Sequence, residues 1–332
     1  MDKTKEKLGI ALVGLGSYAT KELAPSLKKT DHCYLAGLVS APDKVKKLKK
    51  KYDIPRQNIY TYENFDTIKD NPEIDIVYIV LPNSMHEEYV IRSAGAGKHV
   101  ICEKPMAITV EQCDRMINAC RQAGKMFSIG YRLHFEPYNQ EMMRIGRDKP
   151  FGNIIKLTAQ HGMEKVKGWR INKNLAGGGP LMDLGIYCIQ ACRYTTGMEP
   201  VAVRARELLK TKPEKFQEVE EALAWQMEFP GGIIAECETS YTKGMDCLRV
   251  ECTNGWAQLE PAFAYKGIKG KSSAGKMKFK KVKQQAKQMD DFALAIKQNR
   301  LTSVPGEMGR QDVKILQAIY RAMLSGERVE IE

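Results

Sequence analysis

The first 130 residues predict an α/β domain whose parallel sheet is covered on both faces, followed by a second domain over residues 131–332. Three observations carry this. The chain has 332 residues, long for one hydrophobic core and suited to two. Between residues 8 and 130, short continuous apolar runs alternate with amphipathic stretches, as in strands buried on both sides by helices. The first apolar run ends in a glycine-rich turn that opens a helix.

Taken in order, "LGIALVG" reads as a strand and residues 18–29 as a helix. "YLAGLVS" is a second strand, with a helix over 43–52. "IDIVYIVLP" is a third, with a helix over about 84–96, and "HVICEKP" a fourth, with a helix over 109–123. "MFSIG" closes the set. In such a sheet, ligands bind beyond the carboxyl ends of the strands.

Composition excludes several classes. Hydrophobic residues make up 43% and charged residues 28%, the balance of an ordinary soluble globular protein. No apolar stretch is long enough to span a membrane. "MDKTKEKLGIALVG" has charges, then a short apolar run leading straight into the glycine turn, so it reads as a first strand rather than a signal peptide. Nine cysteines are scattered without a C-x-x-C pair, and Cys188 and Cys192 lack the partners of a zinc site. Reduced, buried thiols, a cytoplasmic location and no metal are the expectation. The net charge of +12 is concentrated in residues 265–288, which hold no Asp or Glu. With few aromatics and no binding motif, the segment reads as a solvated loop and not a nucleic-acid surface. It would also attract a phosphate-bearing ligand.

The first turn is Gly14-Leu15-Gly16-Ser17-Tyr18-Ala19, a G-x-G-x-x-A pattern between strand and helix. Its glycines let a pyrophosphate approach the backbone, and the helix N-terminus supplies free N–H groups and partial positive charge. An NAD site usually ends the second strand with Asp or Glu. Here Ser40 stands there, Asp43 is placed to cap the next helix, and Lys44, Lys46 and Lys47 follow. A hydroxyl with ammonium groups suits a 2′-phosphate, so NADP is the expected cofactor, with Ser40 and Lys44 as contacts. Leu81 and Pro82 can wall a nicotinamide ring, and Asn83 or Ser84 can cap the following helix. His86 falls in that helix's first turn, either as a surface or capping residue or as a nicotinamide contact.

Glu103-Lys104-Pro105 ends a core strand at the ligand edge of the sheet. Pro105 holds Lys104 away from helix, and the ammonium can donate to a substrate oxygen. Burial beside a cationic nicotinamide would lower its pKa, and ion pairing with Glu103 would temper that shift. Further on, Asp183 and Tyr187 lie four residues apart after Gly177-Gly178-Gly179-Pro180, so they share a helical face. Carboxylate, phenol and ammonium form an acid–base set for alcohol–carbonyl interconversion, the ammonium making the phenol a better acid. The competing reading is an amphipathic core helix with a capping Asp.

These residues, with "IGYRLHFEPYN", "GWR" and "SVPGEMGRQDVKILQAIY" in the same order, resemble the glucose–fructose oxidoreductase, inositol dehydrogenase and rhizopine catabolism family, nearest its glucose–fructose oxidoreductase branch. The resemblance covers nearly the whole chain. It implies a fold class of α/β plus α+β: an N-terminal Rossmann domain that binds NADP, and a C-terminal domain for substrate binding and oligomerisation on a large, mostly antiparallel sheet. Residues 153–162, 201–208, 221–229, 232–242, 247–252 and 255–260 read as its strands, and "FPGGIIA" as a hairpin turn. The resemblance makes Lys104 the catalytic lysine and Tyr187 the proton donor or acceptor, with Asp183 orienting the substrate. Arg132, Trp169 and Arg170 would line the nicotinamide and substrate cleft. Tyr62, Ser40 and Lys44 would frame the adenosine phosphate, and Tyr265 would reach the cofactor. The branch's N-terminal arm and export signal are not seen, so an exchangeable NADP and a conventional dehydrogenase or reductase are expected.

The implied function is NADP-dependent oxidation of a pyranose hydroxyl, at C1 of an aldose such as glucose, by a homodimer or homotetramer joined through the C-terminal sheet. Alternatives are an inositol, anhydro-sugar or ketose specificity, and a non-catalytic NADP-responsive regulator. Retention of Lys104 and Tyr187 argues against the regulator.

Overall fold

The computed structural model describes residues 6–331. The chain forms two compact units. One holds the residues up to Arg132 together with Lys283–Arg310, and the other Leu133–Val282 with the residues from Gln311 on. The division differs from the sequence reading in one respect, because residues 283–310 return to the first unit. The reason is apolar. Helix Gln284–Gln298 places Met289, Phe292 and Ala293 in the same core as Ile10, Leu12 and Leu23.

Among the described residues, the first unit is built on six parallel strands: β1 (Leu8–Val13), β2 (Cys33–Val39), β3 (Ile59–Tyr60), β4 (Ile76–Ile79), β5 (His99–Cys102) and β6 (Phe127–Ile129). Their order is β3-β2-β1-β4-β5-β6, a doubly wound sheet whose strand order reverses between β1 and β4. Every residue of β1 and β4 is buried, as their continuous apolar runs require. The helices Pro42–Tyr52, His86–Gly95 and Val110–Gln122 follow the sequence expectation closely. The short β3 was not anticipated.

The second unit carries β7 (Ile154–Gly162), β8 (Ala202–Glu207), β9 (Ala222–Glu228), β10 (Ile234–Ser240), β11 (Met245–Cys252), β12 (Gly255–Leu259), β13 (Gly270–Ser272), β14 (Gly275–Lys276) and β15 (Val329–Glu330). Among the described residues they form one nine-stranded sheet, antiparallel except where β10 runs parallel to β7. Its alternation is clear in β9, where Leu223, Trp225 and Met227 are buried in the core. Thr158 and Gln160 lie on the other face, with Lys156 paired to Glu236 at 2.7 Å. The Lys-rich segment is not simply a loop. β13 and β14 extend the sheet edge, and Gln284 already belongs to a helix. Charge density hid the strands: Lys271 and Lys276 are opposite each other across the hairpin and both are exposed, the Lys271 ammonium 5.7 Å from the Trp256 ring.

Behind the sheet, Asp312 is fully buried and takes Arg193 Nη1 at 2.5 Å and Gln190 Nε2 at 2.7 Å. Arg193 also reaches Glu199 at 2.6 Å. Breaking a buried pair leaves an uncompensated charge. Asp312→Ala is therefore expected to destabilise the protein by about 3–5 kcal/mol, measured by urea unfolding.

Candidate active site

In the first unit, β1 ends at Gly14, whose φ is +90° and where a Cβ would stand 2.5 Å from the Val80 carbonyl oxygen. Only glycine fits. Gly16 and Ser17 are exposed, and Tyr18 is half-buried. Ala19 is buried and begins a π-helical turn, Ala19–Leu23, that continues as helix Ala24–Leu27. At the end of β2, Ser40 is 0% exposed and its Oγ has no hydrogen-bond partner. Lys44 is exposed on the first turn of the next helix. Asp43 does not cap that helix. The cap position is Ala41, Pro42 leads the helix, and Asp43 sits outside facing Lys46 at 3.8 Å.

After β4, Leu81 is buried and Pro82 half-buried. Neither Asn83 nor Ser84 caps the helix that follows, because a short 3₁₀ turn, Asn83–Met85, intervenes. His86 is fully buried. Its Nε2 lies 3.0 Å from the Leu81 carbonyl and its Nδ1 3.0 Å from that of Pro105. Burial pushes its pKa down while those carbonyls pull the other way. His86 thus ties the β4 loop to the β5 loop. Tyr62 packs edge-on against Tyr89, ring centroids 5.8 Å apart.

β5 delivers Glu103 and Lys104. Glu103 is buried, and Lys104 is half-buried at the strand's carboxyl end. The Lys104–Pro105 peptide bond is cis. Burial raises the Glu103 pKa, while Tyr78, Lys104 and Arg132 act to lower it. Arg132 is itself buried and donates to Gln284 Oε1.

The second unit holds the other predicted group. A π-helical turn, Leu181–Gly185, carries Asp183 and runs into helix Ile186–Thr196, which carries Tyr187. Glu220 holds the entrance of this turn, accepting the N–H of Gly179 at 3.0 Å and of Leu181 at 3.1 Å, and the Tyr320 hydroxyl at 2.9 Å. Arg170 Nε donates to Asp183 Oδ2 at 2.8 Å, and its guanidinium lies 4.9 Å from the Trp169 ring. Asp183's charge raises the guanidinium's pKa. Tyr241 also donates to Asp183, at 3.3 Å. Tyr265 is partly exposed and acts electrostatically on Arg170. The Tyr187 ring meets His161 edge-on at 5.3 Å, and His161 meets Phe263 at 5.0 Å. Asp183, Arg170, Trp169 and Tyr187 thus belong to the second unit, and Lys104, Glu103 and Arg132 to the first.

Sequence reading missed Tyr241, His161, Phe263 and Glu220. Tyr241 reaches Asp183 from 58 residues away, and Glu220 reaches Gly179 from 41. Both sit just outside the paired strands β9 and β10, so only the folded sheet brings them there, and no local pattern marks it.

The first unit's donor set fits a dinucleotide. Gly14 admits close approach, the helix N-terminus is open at Gly16 and Ser17, and buried Ser40 Oγ lacks a partner inside the protein. Residues 8–131 match the oxidoreductase family with an NAD-binding Rossmann fold, GFO/IDH/MocA, and residues 139–258 match the GFO/IDH/MocA C-terminal domain. The chain is 41% identical to the aldose–aldose oxidoreductase from Caulobacter crescentus, solved with glycerol, over 98% of this chain and 99% of that one, with a TM-score of 0.95. The chain belongs to the GFO/IDH/MocA family.

Among other GFO/IDH/MocA relatives, the D-xylose 1-dehydrogenase [NADP(+)] of Haloarcula marismortui is 28% identical over 99% of this chain and 94% of its own length. The D-glucoside 3-dehydrogenase of Escherichia coli is 27% identical over 99% of both. This GFO/IDH/MocA protein is an NAD(P)-dependent oxidoreductase acting on CH–OH groups.

Proposed function

We propose that the protein is an NADP-dependent sugar oxidoreductase acting on the C1 hydroxyl of an aldose. The observation that carries this is Lys104, a half-buried ammonium at the carboxyl end of β5, the ligand edge of a doubly wound sheet. The substrate class is supported by the aldose–aldose oxidoreductase and the xylose dehydrogenase among its relatives.

In this reading Gly14, Gly16, Ser17 and Tyr18 hold the pyrophosphate end, and Ser40, Lys44 and Tyr62 the adenosine phosphate. Leu81, Pro82, Asn83 and Arg132 would wall the nicotinamide, Trp169 and Arg170 would meet the substrate, and Tyr265 would reach the cofactor. A bound nicotinamide takes or returns the hydride. The protein's own residues manage the proton and the charge. Tyr187 takes the hydroxyl proton, Lys104 stabilises the oxygen as charge builds on it, and Asp183, held by Arg170 and Tyr241, orients the sugar. In reverse, the same set protonates a carbonyl.

The test is a panel of aldoses, glycosides, inositols and polyols with NADP, followed at the nicotinamide absorbance, with ketoses and anhydro-sugars run against NADPH. Oxidation of free aldoses but not of their C1-blocked glycosides is the expected outcome. The D-glucoside 3-dehydrogenase relative favours a second reading, attack at a ring hydroxyl, and blocked glycosides reacting as well as free sugars would establish it. NADP is expected to bind about tenfold or more tightly than NAD at moderate salt, since one charge-assisted phosphate contact is worth at least that factor. Equal dissociation constants would remove the assignment of Ser40 and Lys44.

A homodimer or homotetramer through the nine-stranded sheet belongs to the same proposal. The face bearing Thr158 and Gln160 carries an open groove of about 570 Å³, lined also by Arg204, Arg206, Glu236 and Glu238. No helix among the described residues is long and apolar enough to cross a membrane. We place the enzyme in the cytoplasm.

A further inference from the structure

Beneath Lys104 lies a directed chain of buried hydrogen bonds. Gln288 Nε2, on helix Gln284–Gln298, donates to the Tyr78 hydroxyl at 2.8 Å. The Tyr78 hydroxyl, on β4, donates to Glu103 Oε1 at 2.7 Å. All three side chains are buried, Tyr78 completely. The amide end sets the direction: an amide N–H can only donate, so the Tyr78 oxygen accepts from Gln288 and its own proton is directed to Glu103. Gln288's donation polarises the hydroxyl and makes it a better donor to Glu103. Gly130 also approaches the carboxylate closely: a Cβ there would stand 2.6 Å from Glu103 Oε1. Glycine at this position leaves the space that the Glu103 carboxylate fills.

We propose that Tyr78 and Gln288 are positioning residues for Lys104, acting through Glu103: they hold its carboxylate in place and ionised beside the lysine. This rests on the reading of Lys104 as the group that meets the substrate oxygen. The chain opposes a real cost. Burial alone favours the neutral acid, and the Tyr78 hydrogen bond is the largest influence in the other direction, followed by Lys104. The groups facing Glu103 electrostatically are Lys104 and Cys102 on its own segment, Tyr78 on β4, and Arg132 after β6. Tyr18, at the start of the first helix, acts on Tyr78, and His86, the first residue of helix His86–Gly95, senses Lys104. Helix Gln284–Gln298 contributes uncharged amides, Gln284 to Arg132 and Gln288 to Tyr78. Two carboxamides and a phenol can thus organise the charged groups without adding a charge of their own.

The test uses the full chain and the variants Tyr78→Phe and Gln288→Leu. Glu103 ionisation is followed by infrared difference spectra against Glu103→Gln, with no cofactor or sugar present. The kcat–pH profile and the dissociation constant for NADP are measured beside it. Tyr78→Phe keeps the ring and deletes both hydrogen bonds. It is expected to move the Glu103 midpoint up by about one pH unit or more, a tenfold change in proton affinity. The acid limb of kcat should move up with it, while NADP affinity stays unchanged. Gln288→Leu should move both in the same direction by less, and it carries the test if the phenylalanine variant does not fold. An unmoved infrared midpoint overturns the proposal. So does a moved midpoint with an unmoved acid limb, which would make the chain a structural feature only. The infrared arm needs no substrate, so a wild-type protein inert toward every sugar would sink the functional reading separately.

Discussion

Lys104→Ala is expected to lower turnover by about 10²–10⁴-fold, the range for losing a positioned proton-transfer or charge-stabilising group, while NADP still binds. The asymmetry follows from placement. Lys104 stands at the end of β5, while the groups proposed for the pyrophosphate, Gly14, Gly16 and Ser17, sit at the end of β1. Removing the ammonium therefore leaves ground-state binding of the dinucleotide intact. What is lost is an interaction that strengthens as the hydroxyl oxygen gains negative charge, and such an interaction affects kcat rather than affinity. The measurement is steady-state kcat beside an NADP dissociation constant from fluorescence titration. Unchanged turnover would remove the mechanism. Lys104→Arg separates charge from geometry, since guanidinium keeps the charge but not the compact ammonium's reach, and is expected to recover only part of the loss.

The second large effect is expected at Tyr187. Tyr187→Phe deletes one oxygen and leaves the ring against His161 and Phe263. The fold should therefore be unaffected, and near-UV circular dichroism checks this. Without the phenol the proton must leave to water, and turnover is expected to drop by about 10²–10⁴-fold. Hydride transfer should then limit the rate. The deuterium isotope effect from aldose labelled at C1 is expected to rise toward its full value, with the sugar's KM little changed. An isotope effect equal to wild type, with kcat preserved, would exclude Tyr187 as the proton-transfer group.

Much of the first unit was legible along the chain. Strands buried on both faces leave continuous apolar runs, and helices between them leave a 3.6-residue period, so β1, β2, β4, β5 and β6 were found at nearly their observed bounds. Gly14, Lys104 and Asp183 stood out because each is a local exception: a glycine after a strand, a charge after a core run, a carboxylate after three glycines. In the second unit, the ranges read as strands after the resemblance correspond to β7 through β12, whereas β13, β14 and β15 were too short to show a period.

The cap readings failed for one reason. Asp43, Asn83 and Ser84 were assigned caps from side-chain type, yet Pro42 leads one helix and a 3₁₀ turn the other. His86 has the right residue type and position for a nicotinamide contact. Its two ring nitrogens each lie 3.0 Å from a carbonyl, of Leu81 and of Pro105 on the next strand's loop. A single sequence does not show which of several possible partners a polar side chain will find.

By itself, then, the sequence determined the sheet that presents the ligand edge, the glycine turn, and the identity of the lysine, carboxylate and phenol that carry the proposed chemistry. Their residue types and local spacing record these. The tertiary structure alone decided how those groups are held. Asp183 is pinned by Arg170 and Tyr241, the turn before it by Glu220 and Tyr320, and Glu103 by Tyr78 and Gln288. The physical reason is the range of the forces. Periodicity and turn chemistry act between near neighbours along the chain, whereas Gln288 meets Tyr78 from 210 residues away, only after helix Gln284–Gln298 has buried its apolar stripe in the core of the first sheet.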